Sequence, residues 1–211
     1  MRVTTDRGSL RTERRYISYH DAGSSALIRV QRSDDDGFTW KRVGDAITGA
    51  GRRTTGQATH NNIAGPIVAD PTSHNVYAVF GSGQVGILKA KTADFNDIVV
   101  SRSTDGGQHW TPVLVFAGPL LSTNANVFPA VAVDSTNGNV YATWSNKSST
   151  GTNVFFSYSA NAGTSWSDPI IVNIAPANTA VFPWVDAYGG TVDVVYYGTK
   201  TTNATGVLAP V

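Results

Sequence analysis

Apolar residues in this chain of 211 residues fall in short runs rich in Val, Ile and aromatics, parted by clusters of Gly, Ser, Thr, Asn and Asp. Ala26-Leu27-Ile28-Arg29-Val30, Ile98-Val99-Val100, Val113-Leu114-Val115-Phe116, Asn153-Val154-Phe155-Phe156 and Ile170-Ile171-Val172 are examples. β-Branched and aromatic runs bounded by turn residues predict strands. No stretch shows convincing helical periodicity. The predicted class is all-β.

The turns between some of these strands repeat. Ser33, Asp35, Gly37 and Trp40 stand in the pattern Ser-x-Asp-x-Gly-x-x-Trp. Ser103, Asp105, Gly107 and Trp110 repeat it, and Ser159, Asn161, Gly163 and Trp166 give a third copy with Asn for Asp. A short Asp or Asn side chain accepts hydrogen bonds from N–H groups just downstream. Gly supplies the positive φ that reverses the chain. Trp opens the next strand and covers the turn.

A second repeat surrounds the first. Ile63 to Asp70, Val127 to Asp134 and Val181 to Asp186 align on Pro66, Pro129 and Pro183 as three copies of one strand. Each is followed by a turn and a second strand: Asn75 to Phe80, Asn139 to Trp144 and Val192 to Tyr196. Tyr19, Tyr77, Tyr141 and Tyr196 recur in these second strands and are read as packing residues. The unit is four antiparallel strands, with the octet between the third and fourth. A repeat with fixed internal order predicts blades copied around an axis. The expected fold is a partial β-propeller of about three and a quarter blades. The units are roughly 15–62, 63–126, 127–180 and 181–211. Residues 1–14 are expected to be irregular.

At the octets the chain resembles the Asp-box, or BNR-repeat, propellers of the sialidase superfamily. The resemblance implies sialidase-like blades with the boxes on the rim away from any active site. It also implies a larger parent propeller, of which this chain would be a segment lacking blades at both ends. The functional face would be formed by loops leading into first strands and loops joining second to third strands. That assigns 44–62, 117–126 and 173–180 to the former, and 20–25, 81–97 and 145–152 to the latter.

Composition then narrows the chemistry. The chain has no Cys and four His without metal-ligand spacing, so neither a disulfide frame nor a zinc site is expected. No metal or other cofactor is expected. No apolar run reaches membrane-spanning length. The net charge of +1 conceals a basic first quarter, but no nucleic-acid motif accompanies it. The partner expected is carbohydrate, with self-association through open propeller edges.

Sialidases hold the substrate carboxylate with three arginines and use a Tyr nucleophile, a Glu and an acid/base Asp. The only Glu here is Glu13, and the family's Arg-Ile-Pro motif is absent. The full catalytic set therefore does not lie in this segment. Asp21, Arg52 and Arg53 are the partial matches to catalytic residues. His20, His60, Asn61 and Asn62 are the candidates for sugar contact, with Asn124 and Asn126 in the next loop.

The leading expectation is a segment of an exo-α-sialidase-like glycoside hydrolase acting on terminal acidic sugars, inactive by itself, in an extracellular or cell-surface parent protein. The alternative is a non-catalytic propeller binding glycan or protein. A third reading is an assembly propeller like those of sortilin-like or photosystem-assembly families.

Overall fold

A computed structural model describes residues 4–7, 13–21, 27–47, 62–83, 95–118, 128–148 and 151–202. These hold fourteen strands and no helix. The first sheet is β1 (Thr4–Arg7), β2 (Glu13–His20), β3 (Ile28–Ser33) and β4 (Lys41–Asp45). The second is β5 (Asn62–Ala69), β6 (Val76–Gly83), β7 (Phe95–Ser103) and β8 (Thr111–Ala117). The third is β9 (Ala130–Val133), β10 (Val140–Ser148), β11 (Gly151–Ser159) and β12 (Ile170–Ile171). A two-stranded hairpin, β13 (Thr179–Tyr188) and β14 (Thr191–Thr199), follows. Within each sheet the strands pair antiparallel in chain order.

The core shows how the sheets are set. Tyr16, Ile28 and Val30 of the first sheet pack with Ile67, Val76, Phe80 and Val99 of the second. Val68, Tyr77, Val79 and Ile98 of the second pack with Val131, Val140, Ala142 and Trp144 of the third. Ala130, Ala132 and Tyr141 of the third pack against Val185 of the hairpin. Each interior sheet thus buries both faces, one on each neighbour. A buried Val or Ile contributes about 1.5–3 kcal/mol, so the seams are the main source of stability. The leading strands β1, β5, β9 and β13 lie successively against one another. Sheets fanned about their first strands, each used on both faces, make a partial β-propeller.

Several expectations are refined. Residues 1–14 are not wholly irregular: β1 occupies Thr4–Arg7 and pairs with β2, in register Thr4 with Tyr16 and Arg7 with Glu13. The first blade therefore has its inner strand. Tyr16, not Tyr19, is the counterpart of Tyr77 and Tyr141. Each lies one residue beyond the partner of its box serine: Arg15 pairs with Ser33, Val76 with Ser103 and Val140 with Ser159. The connection expected over 145–152 is mostly strand, because β10 runs to Ser148 and β11 starts at Gly151. Gly44 and Asp45 belong to β4, and Asn62 opens β5.

Gly44 marks where an outer strand meets the neighbouring blade. A Cβ there would lie 2.4 Å from the carbonyl oxygen of Gly107 and 2.9 Å from that of Gln108. Backbone oxygens cannot swing aside as a side-chain tip can. Gly44→Ala is therefore expected to cost roughly 1–3 kcal/mol by overpacking. The measure is the urea midpoint followed by tryptophan fluorescence; an unchanged midpoint would contradict this packing.

Candidate functional face

The blades have two ends, and the topology separates their contents. All three serine-to-tryptophan turns join third to fourth strands, so they share one end with the turns joining first to second strands. In each, the serine hydroxyl accepts from the glycine N–H at 2.8 Å: Ser33 from Gly37, Ser103 from Gly107, Ser159 from Gly163. The same hydroxyl donates to Asp35, Asp105 or Asn161. That side chain then accepts from the N–H of Thr39, His109 or Ser165 at 2.8–2.9 Å. The glycines have φ of 97°, 90° and 80°, a region that disfavours any side chain. The ring N–H groups of Trp40 and Trp110 donate to the carbonyls of Gly37 and Gly107, whereas that of Trp166 makes no hydrogen bond among the described residues.

These turns also fasten blades together. The Arg32 guanidinium donates to the Gly106 carbonyl across the first seam at 2.8 Å, and Arg102 donates to Ala162 across the second at 3.1 Å. Both arginines immediately precede a box serine. That signal was legible in the sequence and was not used. The Asp134 carboxylate accepts from Gly189 and Gly190 at the hairpin turn, joining the third blade to β13 and β14.

Donors surround these carboxylates and stabilise their charged form. The Ser33 hydroxyl, then Thr39, hold Asp35 down to about 2. Partial burial opposes the charge of Asp105, but donors from His109, Ser103 and Gln108 outweigh it and bring it to about 2. The Thr136 hydroxyl, against some desolvation and with the N–H groups of Gly190, Thr136 and Gly189, does the same for Asp134.

The opposite end is where the sequence-derived site residues were placed. Asp21 follows β2 there and is tied to Arg29, whose Nε and Nη2 both lie 2.7 Å from Oδ2. Arg29 Nη1 reaches both oxygens of Asp45 at 3.3 Å, and Arg42 donates to Asp45 at 2.6 Å. The hydrogen bond that Arg29 donates to Asp21, against desolvation and aided by Asp45, raises the Arg29 guanidinium above its usual value. The result is a chain of alternating charges, Asp21–Arg29–Asp45–Arg42, of which only Asp21 was singled out beforehand. His20 is exposed at the end of β2. Asn62 is buried, 2% exposed, at the start of β5 opposite Ser82. Arg52, Arg53, His60, Asn61, Asn124 and Asn126 lie outside the described residues.

This end also carries buried polar side chains that no motif announced. Asn96 and Asp97 open β7, and the Gly118 N–H donates to Asp97. In β10, Thr143, Trp144, Ser145 and Asn146 are buried with a polar atom that has no hydrogen bond among the described residues. The Trp144 ring lies against Phe116 and Phe155, with centroids 5.4 and 6.0 Å away. Asn146 also begins an Asn-x-Ser acceptor triplet, but at 6% exposure it is closed to modification in the folded chain. Among the described residues no group of three or more His, Asp or Glu could hold a metal ion, and no helix is long and apolar enough to cross a membrane.

No protein-family model matches the sequence, and no curated protein matches it. Solved structures do. A Hadza microbial sialidase is similar over 95% of this chain and 45% of its own, at 15% identity and TM-score 0.57. An α-L-arabinanase of Penicillium chrysogenum is similar over 95% and 59%, at 17% identity and TM-score 0.56. A Dyadobacter fermentans protein of unknown function is similar over 95% and 49%, at 14% identity and TM-score 0.55. The chain thus spans about half the length of the structures it resembles. Its fold is that of the sialidase-like β-propellers.

Because Asp35, Asp105 and Asp134 titrate near 2 when folded and near 3.8 otherwise, their stabilisation is complete above about pH 4 and is lost as pH falls toward 2. The urea midpoint should be level from pH 7 to 5 and drop below 4. Asp105→Asn, imitating the bonds that Asn161 makes, should keep most stability at pH 7 and show a shallower acid drop. An equally steep drop in the variant would show that Asp105 carries none of it.

Proposed function

We propose that this chain is a segment of a sialidase-type glycoside hydrolase propeller that acts on a terminal acidic sugar outside the cell or at its surface. The observation that carries the reading is the segregation of the blade ends. Structural turns occupy one end, and the other holds His20, Asp21 and Asn62 on a fold that a sialidase and an arabinanase share. In this reading Arg52 and Arg53 pair with the sugar carboxylate through their planar forks. Asp21 serves proton transfer, and His20, His60, Asn61 and Asn62 contact sugar hydroxyls. The segment alone does not turn substrate over, because its only Glu is Glu13 in β2 and a complete arginine set is missing.

One observation favours a second reading, a propeller that binds glycan without hydrolysing it. Asp21 Oδ2 is already gripped by two nitrogens of Arg29, so proton transfer would require that ion pair to open.

Two measurements separate these readings. The 211-residue chain is expected to release no fluorophore from a fluorogenic sialoside, while a longer chain completing the propeller does. Saturation-transfer NMR should detect sialyllactose on the segment, weakened about tenfold or more by the double change Arg52→Ala, Arg53→Ala, as for loss of a bidentate ion pair. Hydrolysis by the segment that disappears in Asp21→Asn would refute its inactivity. Binding of neutral glycans alone would sink the acidic-sugar assignment. Binding without hydrolysis by the longer chain would establish the second reading.

A further inference from the structure

The turn joining β9 to β10 carries a chemistry that neither the blade seams nor the glycosidase reading uses. Asn137-Gly138 is the only Asn-Gly pair in the sequence. Asn137 is exposed. Gly138 has a φ of 76°, with nothing within 4 Å of where a Cβ would stand. A glycine nitrogen, with no side chain beside it, can reach the side-chain carbonyl carbon of the asparagine before it. Among the described residues the other exposed asparagines, Asn161 and Asn178, precede Ala162 and Thr179, whose side chains obstruct that approach.

The reacting groups are all engaged in one small network. Asn137 Oδ1 accepts from the Asn139 N–H at 2.9 Å, which polarises the side-chain carbonyl. Asn137 Nδ2 donates to Asp134 Oδ2 at 3.1 Å. The Gly138 N–H donates to the Asp134 carbonyl at 2.7 Å, a bond that opens whenever the exposed turn frays. Asp134 itself is fully buried. The same Oδ2 accepts from the Gly190 N–H at 2.6 Å, and Oδ1 accepts from Gly189 at 3.2 Å. A single carboxylate thus links an exposed asparagine of the third blade to the turn between β13 and β14.

We propose that Asn137 is a deamidation site, and that its conversion to an acid loosens the tie between the third blade and the turn joining β13 to β14. The Gly138 nitrogen gives its proton to hydroxide and attacks Asn137 Cγ. The new C–N bond closes a succinimide as the Cγ–Nδ2 bond breaks, and ammonia leaves with a proton from water. Water then opens the ring at either carbonyl, giving aspartate or isoaspartate; the net change consumes a water and releases an ammonia. Aspartate replaces the donor facing Asp134 Oδ2 by a carboxylate, and isoaspartate also lengthens the backbone of the turn by a methylene. Two carboxylates so close cannot both stay ionised without cost. Asp134 loses a donor and gains a like charge, so its hold on Gly189 and Gly190 weakens. The inference is independent of the glycosidase reading.

The first test keeps the whole 211-residue chain in mildly alkaline buffer and follows it by peptide mapping with mass spectrometry. Conversion of amide to acid should appear at Asn137 before any other asparagine, divided between aspartate and isoaspartate. Earlier conversion at another asparagine would overturn the assignment. Hydrogen exchange of Asn137→Asp, a change at an exposed position, reads the consequence. Exchange at the Gly189 and Gly190 amides should rise roughly three- to tenfold at neutral pH, as for loss of a hydrogen bond, while Val79 in the second blade stays unchanged. At about pH 3 a protonated carboxyl at position 137 can donate to Asp134, which is still ionised because its own value lies at about 2. The ratio to the parent chain should then return toward unity. Unchanged exchange at Gly189 and Gly190, a rise equally large at both pH values, or an equal rise at Val79 would each overturn the link.

Discussion

A tyrosine ring laid against a glycine is the contact on which the blade seams turn. A Cβ on Gly107 would lie 3.6 Å from the ring of Tyr16, and one on Gly163 would lie 3.2 Å from the ring of Tyr77. Both rings are fully buried. The glycine is needed twice, once for its positive φ within the turn and once for the room it leaves outside it. Local turn chemistry and packing between blades therefore constrain the same atom. It holds for the second and third octets, whereas Gly37 of the first meets only the Arg15 and Trp40 side chains. Arg32 and Arg102 add a charged donor beside each such contact, and the third blade, with Tyr158 at that position, has none.

This arrangement divides labour along the strands. The turn end is closed by short hydrogen bonds within each turn and by bonds to the next blade. Asp35, Asp105 and Asp134 there accept from backbone N–H groups and neighbouring side chains, while Asp34 and Asp36 pair with Arg and Lys. The loop end holds Asp21, Arg29, Asp45 and Arg42 as a linked series and buries Asn62, Asn96 and Asp97 where strands begin. Polar side chains buried at strand ends cost free energy unless they are paired. Buried polar side chains are concentrated at this end and in β10 beside the stacked Trp144, Phe116 and Phe155.

The hairpin shows where the repeat stops being a repeat. Its inward residues, Val185, Ala187, Val192 and Val194, continue the seam chemistry of the earlier blades. Its outward residues exchange small apolar and tyrosine positions for Trp184, Asp186 and Asp193. That face is apolar but carries two carboxylates at its centre.

The order of strands and the place of each tight turn were legible in the residues themselves. Ser, Asp or Asn, Gly and Trp at fixed spacing specify a turn through bonds spanning at most four positions, so Ser33 to Trp40 needed no tertiary information. The aligned prolines likewise lie within β5 and β13 and directly before β9, which starts at Ala130. What only the fold decided were contacts between residues far apart in sequence. Arg32 meets Gly106 because two sheets fan about a common side, and Asp21 is held by Arg29 because β2 and β3 pair in one register rather than the next. β1 was missed since a four-residue polar strand has no periodicity of its own and exists only by pairing with β2. Local chemistry can be read one residue at a time. A pairing partner is chosen by the whole chain, because the entropy of bringing distant segments together is repaid only when every seam closes at once.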